Sequence, residues 1–70
     1  MKTINSEMAG LVLQVLVKEG DQVSPGQIVA KIESMKMEID INSDDTGMVS
    51  EVKVGKGDFI NEGDTLIVLS

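Results

Sequence analysis

The run Met37-Glu38-Ile39-Asp40-Ile41-Asn42 alternates apolar and polar side chains without a break. A period of two belongs to a strand with one buried and one wet face, so Met37, Ile39 and Ile41 are expected to point into a core. Residues 10–17 and 47–54 share a second pattern, V-x-x-V-x-V, made by Val12, Val15 and Val17 and by Val49, Val52 and Val54. The first valine of each trio is out of phase with the other two, which predicts a bulge or sharp bend at the same place in both segments. β-Branched residues are abundant, helical spacing is absent and glycine recurs every several residues. That combination predicts short strands joined by turns and an all-β fold.

Both segments belong to a longer duplication. Sliding the sequence by 37 positions lays residues 2–33 over residues 39–70 without a gap, and ten of the 32 pairs are identical, among them Ile4/Ile41, Ser6/Ser43, Gly10/Gly47 and Gly20/Gly57. Composition alone would give about two. Turn chemistry repeats at the same offset: Ser24-Pro25-Gly26-Gln27 fits a type II turn, and Asn61-Glu62-Gly63-Asp64 is its counterpart. Gly20-Asp21 and Gly57-Asp58 mark a second matching bend. Each copy is too short to bury its own apolar face, so the two are expected to pack on each other about a pseudo-two-fold axis, neither folding alone. The symmetry sets the strand near residues 2–6 beside the C-terminal strand at 65–69. Residues 34–38, which with Met1 lie outside both copies, become a hairpin tip at the end away from the termini, with Lys36 protruding most. Residues 1–70 are expected to form a single domain.

Composition narrows the function. Twelve Asp and Glu against six Lys give a net charge of -6, which repels phosphate backbones and anionic bilayers, and Phe59 is the only aromatic residue, too few for a base-stacking platform. Neither nucleic acid nor a membrane is an expected partner. The longest apolar runs fall far short of the roughly 20 residues of a membrane span, and no signal-peptide core follows Met1-Lys2-Thr3-Ile4-Asn5, so a cytoplasmic location is expected. With no Cys and no His there is no disulfide, no ordinary zinc site and no nucleophile–imidazole pair. Asp40-x-Asn42-x-Asp44 with Glu51 resembles a calcium loop, but Asp45 stands where that loop needs glycine and no helices flank it. No metal is expected, and nothing in the chain looks catalytic in its own right.

Chemistry therefore falls on the unduplicated bridge Ser34-Met35-Lys36-Met37-Glu38. Tight hairpins favour Asn-Gly or Asp-Gly at the tip because the central residues need positive φ, and Met-Lys-Met meets no such need. Two readings stand on these residues alone. In one, Met35 and Met37 fill the end of the core and Lys36 is an ordinary solvated lysine. In the other, the tip departs from turn chemistry because it serves a function.

Glu33-Ser34-Met35-Lys36-Met37 closely resembles the E-[AS]-M-K-M motif of the biotinyl/lipoyl attachment domain family, where it surrounds the biotin-accepting lysine. Met8-Ala9-Gly10, Val17 to Val23, Pro25-Gly26-Gln27, Gly57-Asp58 and Gly63-Asp64 also match, so the likeness spans essentially the whole chain. The resemblance implies a flattened β-barrel or sandwich of two four-stranded antiparallel sheets, the barrel-sandwich hybrid or hammerhead fold. Asn42 to Thr46 replaces the Ala-Pro that often precedes the second copy, and the gap-free match leaves no room for the thumb loop of some bacterial carriers. The chain resembles a stand-alone thumbless biotin carboxyl carrier, either free-standing or cut from a longer protein.

By the same resemblance, a biotin protein ligase joins the Lys36 amine to biotin, with Glu33, Ser34, Met35, Met37 and Glu38 serving recognition and presentation. The modified lysine then serves a biotin carboxylase and a carboxyltransferase as a swinging arm, most simply in an acetyl-CoA carboxylase of fatty acid biosynthesis. The chain is then a non-enzymatic carrier subunit, monomeric in isolation. The nearest alternative is a lipoyl carrier, lipoylated at Lys36 for an oxidative acyl- or aminomethyl-transfer complex, whose motif is usually D-K-A. A non-catalytic β-interaction module is the other.

Overall fold

A computed structural model describes residues 2–70, and Met1 lies outside the described residues. Eight strands run β1 Lys2–Asn5, β2 Gly10–Val15, β3 Gln22–Val23, β4 Ile28–Ser34, β5 Met37–Asn42, β6 Gly47–Val52, β7 Phe59–Ile60 and β8 Thr65–Leu69. They form two four-stranded antiparallel sheets, ordered β1-β8-β6-β3 and β5-β4-β2-β7, with no helix among the described residues. The all-β sandwich expected from the sequence is the architecture observed.

Exchanging β1 with β5, β2 with β6, β3 with β7 and β4 with β8 converts one strand order into the other. Both sheets therefore mix strands from both copies, and the expected pairing of the first strand with the last is present, Lys2 opposite Leu69 and Ile4 opposite Ile67. Hydrogen bonds outside the ladders repeat at the same offset: Ser6 N–H donates to Asp64 O as Ser43 N–H donates to Gln27 O, and Gly63 N–H donates to Ser6 O as Gly26 N–H donates to Ser43 O. The core obeys the same rule. Ile4/Ile41, Val12/Val49, Val23/Ile60, Val29/Leu66, Ala30/Ile67 and Ile32/Leu69 are all buried pairs. Each apolar face is thus covered by the other copy, at a size where little else is available to offset chain entropy.

The out-of-phase valines have the expected consequence: the β2–β4 register shifts between Val12 and Gln14, and the β6–β8 register between Val49 and Glu51. Gly26 and Gly63 take φ of 87° and 89° in turns closed by Gln27 N–H to Ser24 O and Asp64 N–H to Asn61 O. These are the type II turns read from the sequence.

Gly10 and Gly47 serve a different need. A Cβ on Gly10 would stand 2.6 Å from the Glu33 carbonyl oxygen, and one on Gly47 would stand 3.0 Å from the Ser70 carbonyl oxygen. Both glycines let β2 and β6 close on the ends of β4 and β8. Gly10→Ala is expected to cost about 1–3 kcal/mol through overpacking against backbone, and Gly47→Ala less because its nearest contact, at 3.0 Å instead of 2.6 Å, needs a smaller shift. Urea-melt midpoints of the two variants check this order, and equal midpoints would contradict it.

Candidate functional site

β4 and β5 form the longest hairpin, with Ile32 opposite Ile39, Glu33 opposite Glu38 and Ser34 opposite Met37. All six residues singled out in the sequence lie on it. Only Met35 and Lys36 connect the strands, at φ 54° and 64°, so both central residues are left-handed, as a type I′ turn requires. Among the described residues they are the only non-glycines with positive φ. Side chains in that region cost about 1–2 kcal/mol each, and no local sequence preference offsets the cost here.

The tip is bare. Met35 is 90% exposed and Met37 65%, which removes the reading in which the two thioethers close the core. Met37 also corrects the expectation that it faces inward with Ile39 and Ile41. β2 reaches β4 only as far as the Leu11–Glu33 pair, so the Ser34–Met37 pair projects as a two-stranded extension past the four-stranded sheet. Alternation still aims Met37 toward the inner face, but the core has ended. Ile39 is half-buried and Ile41 is buried, as the gradient along the hairpin requires.

Lys36 is exposed, and among the described residues no carboxylate pairs with its ammonium. Glu38 is engaged instead by Lys31, with Nζ 3.4 Å from Oε1 on the outer face of the sheet. Glu33 stands directly opposite Glu38, a cross-strand like-charge pair that costs folding energy rather than supplying it. The sequence points to both glutamates without this juxtaposition, leaves Lys31 unmarked, and marks Gly10 only as a repeated position, not as the place where β2 closes on Glu33.

Among the described residues no carboxylate lies within ion-pair distance of the Lys36 amine. An open groove of about 620 Å³ between β1 and β5 is lined by residues 3–8, 39–42, 44 and 45, and Lys36 is not part of it. No group of three or more Asp or Glu among the described residues is placed to hold a metal ion. What the site offers is one primary amine on a stiff two-residue tip, suited to covalent attachment of a group that then reaches beyond the domain.

Residues 2–69 match the family model described as "Biotin-requiring enzyme". The chain belongs to the biotin/lipoyl attachment family. A biotin/lipoyl attachment protein of Bacillus subtilis (strain 168) is 56% identical over 68 residues, 97% of this chain and 93% of that protein. A biotinylated protein TB7.3 homolog of Mycobacterium leprae (strain TN) is 43% identical over 67 residues, covering 96% and 94%. Among solved structures, the Kluyveromyces lactis urea carboxylase superposes with a TM-score of 0.91 at 29% identity, over 99% of this chain and 6% of that one. Family membership and hammerhead architecture were both legible in the sequence. The family model's description and the Mycobacterium leprae relative name biotin, and the Bacillus subtilis relative names biotin together with lipoyl.

The left-handed tip makes a direct prediction. Met35→Asn combined with Lys36→Gly should raise stability by about 1 kcal/mol, or about 4–8 °C in Tm for a domain of this size. An unchanged or lower Tm in a thermal melt would show that the tip carries no strain.

Proposed function

We propose that the protein is a biotin carboxyl carrier, residues 1–70 acting as one carrier unit with biotin in amide linkage to Lys36. The observation that carries this reading is the solitary, solvent-facing Lys36 amine on a strained tip between two exposed thioethers. A biotin protein ligase supplies the acyl group as biotinyl-AMP. The Lys36 ammonium gives one proton to a base of the ligase, the neutral nitrogen attacks the biotinyl carbonyl, the carbonyl–phosphate C–O bond breaks as AMP leaves, and the second nitrogen proton is lost to solvent as the amide forms. Once attached, biotin offers a ureido nitrogen that takes up and releases a carboxyl group.

The rest of the work belongs to the chain. A two-residue tip fixes where the arm begins, and the core behind it keeps that origin steady. Tethering on such a body replaces free diffusion by a local concentration of about millimolar order at the biotin carboxylase and carboxyltransferase sites. Met35 and Met37 offer soft, polarisable surface to partners of different shape. Glu33 and Glu38 give the ligase two fixed negative charges close behind the lysine. Acetyl-CoA is the acceptor we assign, and it is recognised at the carboxyltransferase, not on the carrier.

Intact mass of the chain from its own cells should show one biotinyl increment on Lys36, and a lipoyl increment would replace biotin by lipoate in this reading. Lys36→Arg should keep the wild-type melt and take up no label. Biotin incorporation persisting in that variant would refute the assignment. The Glu33→Gln, Glu38→Gln double variant should be loaded with a several-fold higher KM and a weaker dependence on salt, while its Tm stays equal or rises as the like-charge pair disappears. Unchanged loading would confine both glutamates to the surface.

A further inference from the structure

The register of the hairpin sheet aligns four residues from four strands in one crosswise row. Glu38 on β5 pairs with Glu33 on β4, Glu33 with Leu11 on β2, and Leu11 with Phe59 on β7. Registered partners share a face, and here it is the outer one. Both glutamates are exposed, Leu11 is 38% exposed and Phe59 68%, whereas Val12 and Ile60, the next residues along their strands, are buried.

Folding does not ask for this row. It combines a like-charge pair, which costs folding energy, with an aliphatic–aromatic pair that the domain leaves largely in water. The pseudo-symmetric row supplies an internal control. Glu33, Leu11 and Phe59 correspond to Ser70, Met48 and Gln22, and Met48 pairs with Gln22 in the same register on the other sheet. That row has no charged side chain and no aromatic ring. The sheet carrying Lys36 therefore differs from its twin on the face just behind the lysine.

The length of the lysine selects the partner. An unmodified lysine reaches only about 6 Å from its Cα, so an enzyme acting on the bare amine must close on the hairpin itself. The row crosses the hairpin at the Glu33–Glu38 pair, with only the Ser34–Met37 pair between it and the two-residue tip, within the footprint of a protein that engulfs the tip. A carboxylase site meets the amine only after the arm has been lengthened and can stand farther off.

We propose that Leu11 and Phe59 extend the Glu33–Glu38 pair into a docking strip for the biotin protein ligase, whose matching surface is an apolar depression bordered by basic side chains. This inference rests on the biotin carrier reading. Phe59 is the central anchor, since exposed aromatics carry a disproportionate share of binding energy.

Phe59→Gln installs the residue that the twin row already tolerates, and Leu11→Thr and Met48→Gln serve as companion and control. With a purified ligase, saturating biotin and ATP, Phe59→Gln should raise the KM for the full chain about tenfold or more with kcat unchanged. Leu11→Thr should act in the same direction and Met48→Gln should do nothing, all three melting as folded domains. Phe59→Gln chains driven to complete biotinylation should serve a purified biotin carboxylase at the wild-type rate. Wild-type KM in Phe59→Gln, an equal effect from Met48→Gln, or a matching loss with biotin carboxylase would each overturn the proposal while leaving Lys36 as the attachment site. A wild-type chain that accepts no biotin at all would overturn the carrier reading and this inference with it.

Discussion

The structure depends on burial of each copy's apolar face by the other. Neither copy closes a sheet by itself: β1 of the first needs β8 of the second, and β5 of the second needs β4 of the first. Six matched pairs of aliphatic side chains meet inside this exchange. The interlocked arrangement makes a 70-residue chain without disulfides stiff enough to hold a costly turn. The left-handed backbone at Met35 and Lys36 persists because the β4–β5 ladder below it is over-determined by core contacts on one face and by Gly10 closing against Glu33 at the edge.

Duplication also separates scaffold from function. Whatever occurs twice in the chain serves the sandwich: the bulges at Val12 and Val49, the turns at Gly26 and Gly63, the buried hydroxyls of Ser6 and Ser43 that donate to Met8 O and Asp45 O. Features that occur once gather around one hairpin. Lys36 with its flanking thioethers, the facing glutamates and the Leu11–Phe59 pair all belong to the sheet that bears the tip.

Much of this was legible in the sequence because it rests on short-range rules. Alternation, out-of-phase valines and Gly-bearing turns each report on a few neighbouring residues, and the 37-residue offset carried them into a topology. Met37 was misread because alternation gives the face a side chain points to but not where the core stops along that face. The Leu11–Phe59 row was invisible for a related reason. Its existence depends on the register among four strands, β2 and β4 being paired through a bulge, and no local pattern sets that register. Glu33 and Glu38 were named from a motif, but their opposition follows from a turn of only two residues.

Lys2 sits opposite Leu69, and its ammonium reaches the Thr46 carbonyl at 2.8 Å and Asp45 at 3.6 Å, beyond the end of β5 remote from the tip. Entry and exit of the backbone are thus side by side, at the pole opposite the Lys36 nitrogen. A body built this way can be strung into a longer polypeptide like a lamp on a double cord, with its working end hanging clear of both attachment points. The same seventy-residue architecture is therefore equally at home as a small diffusing shuttle or as a bead within a giant chain, and moving between those two lives requires no change at its business end.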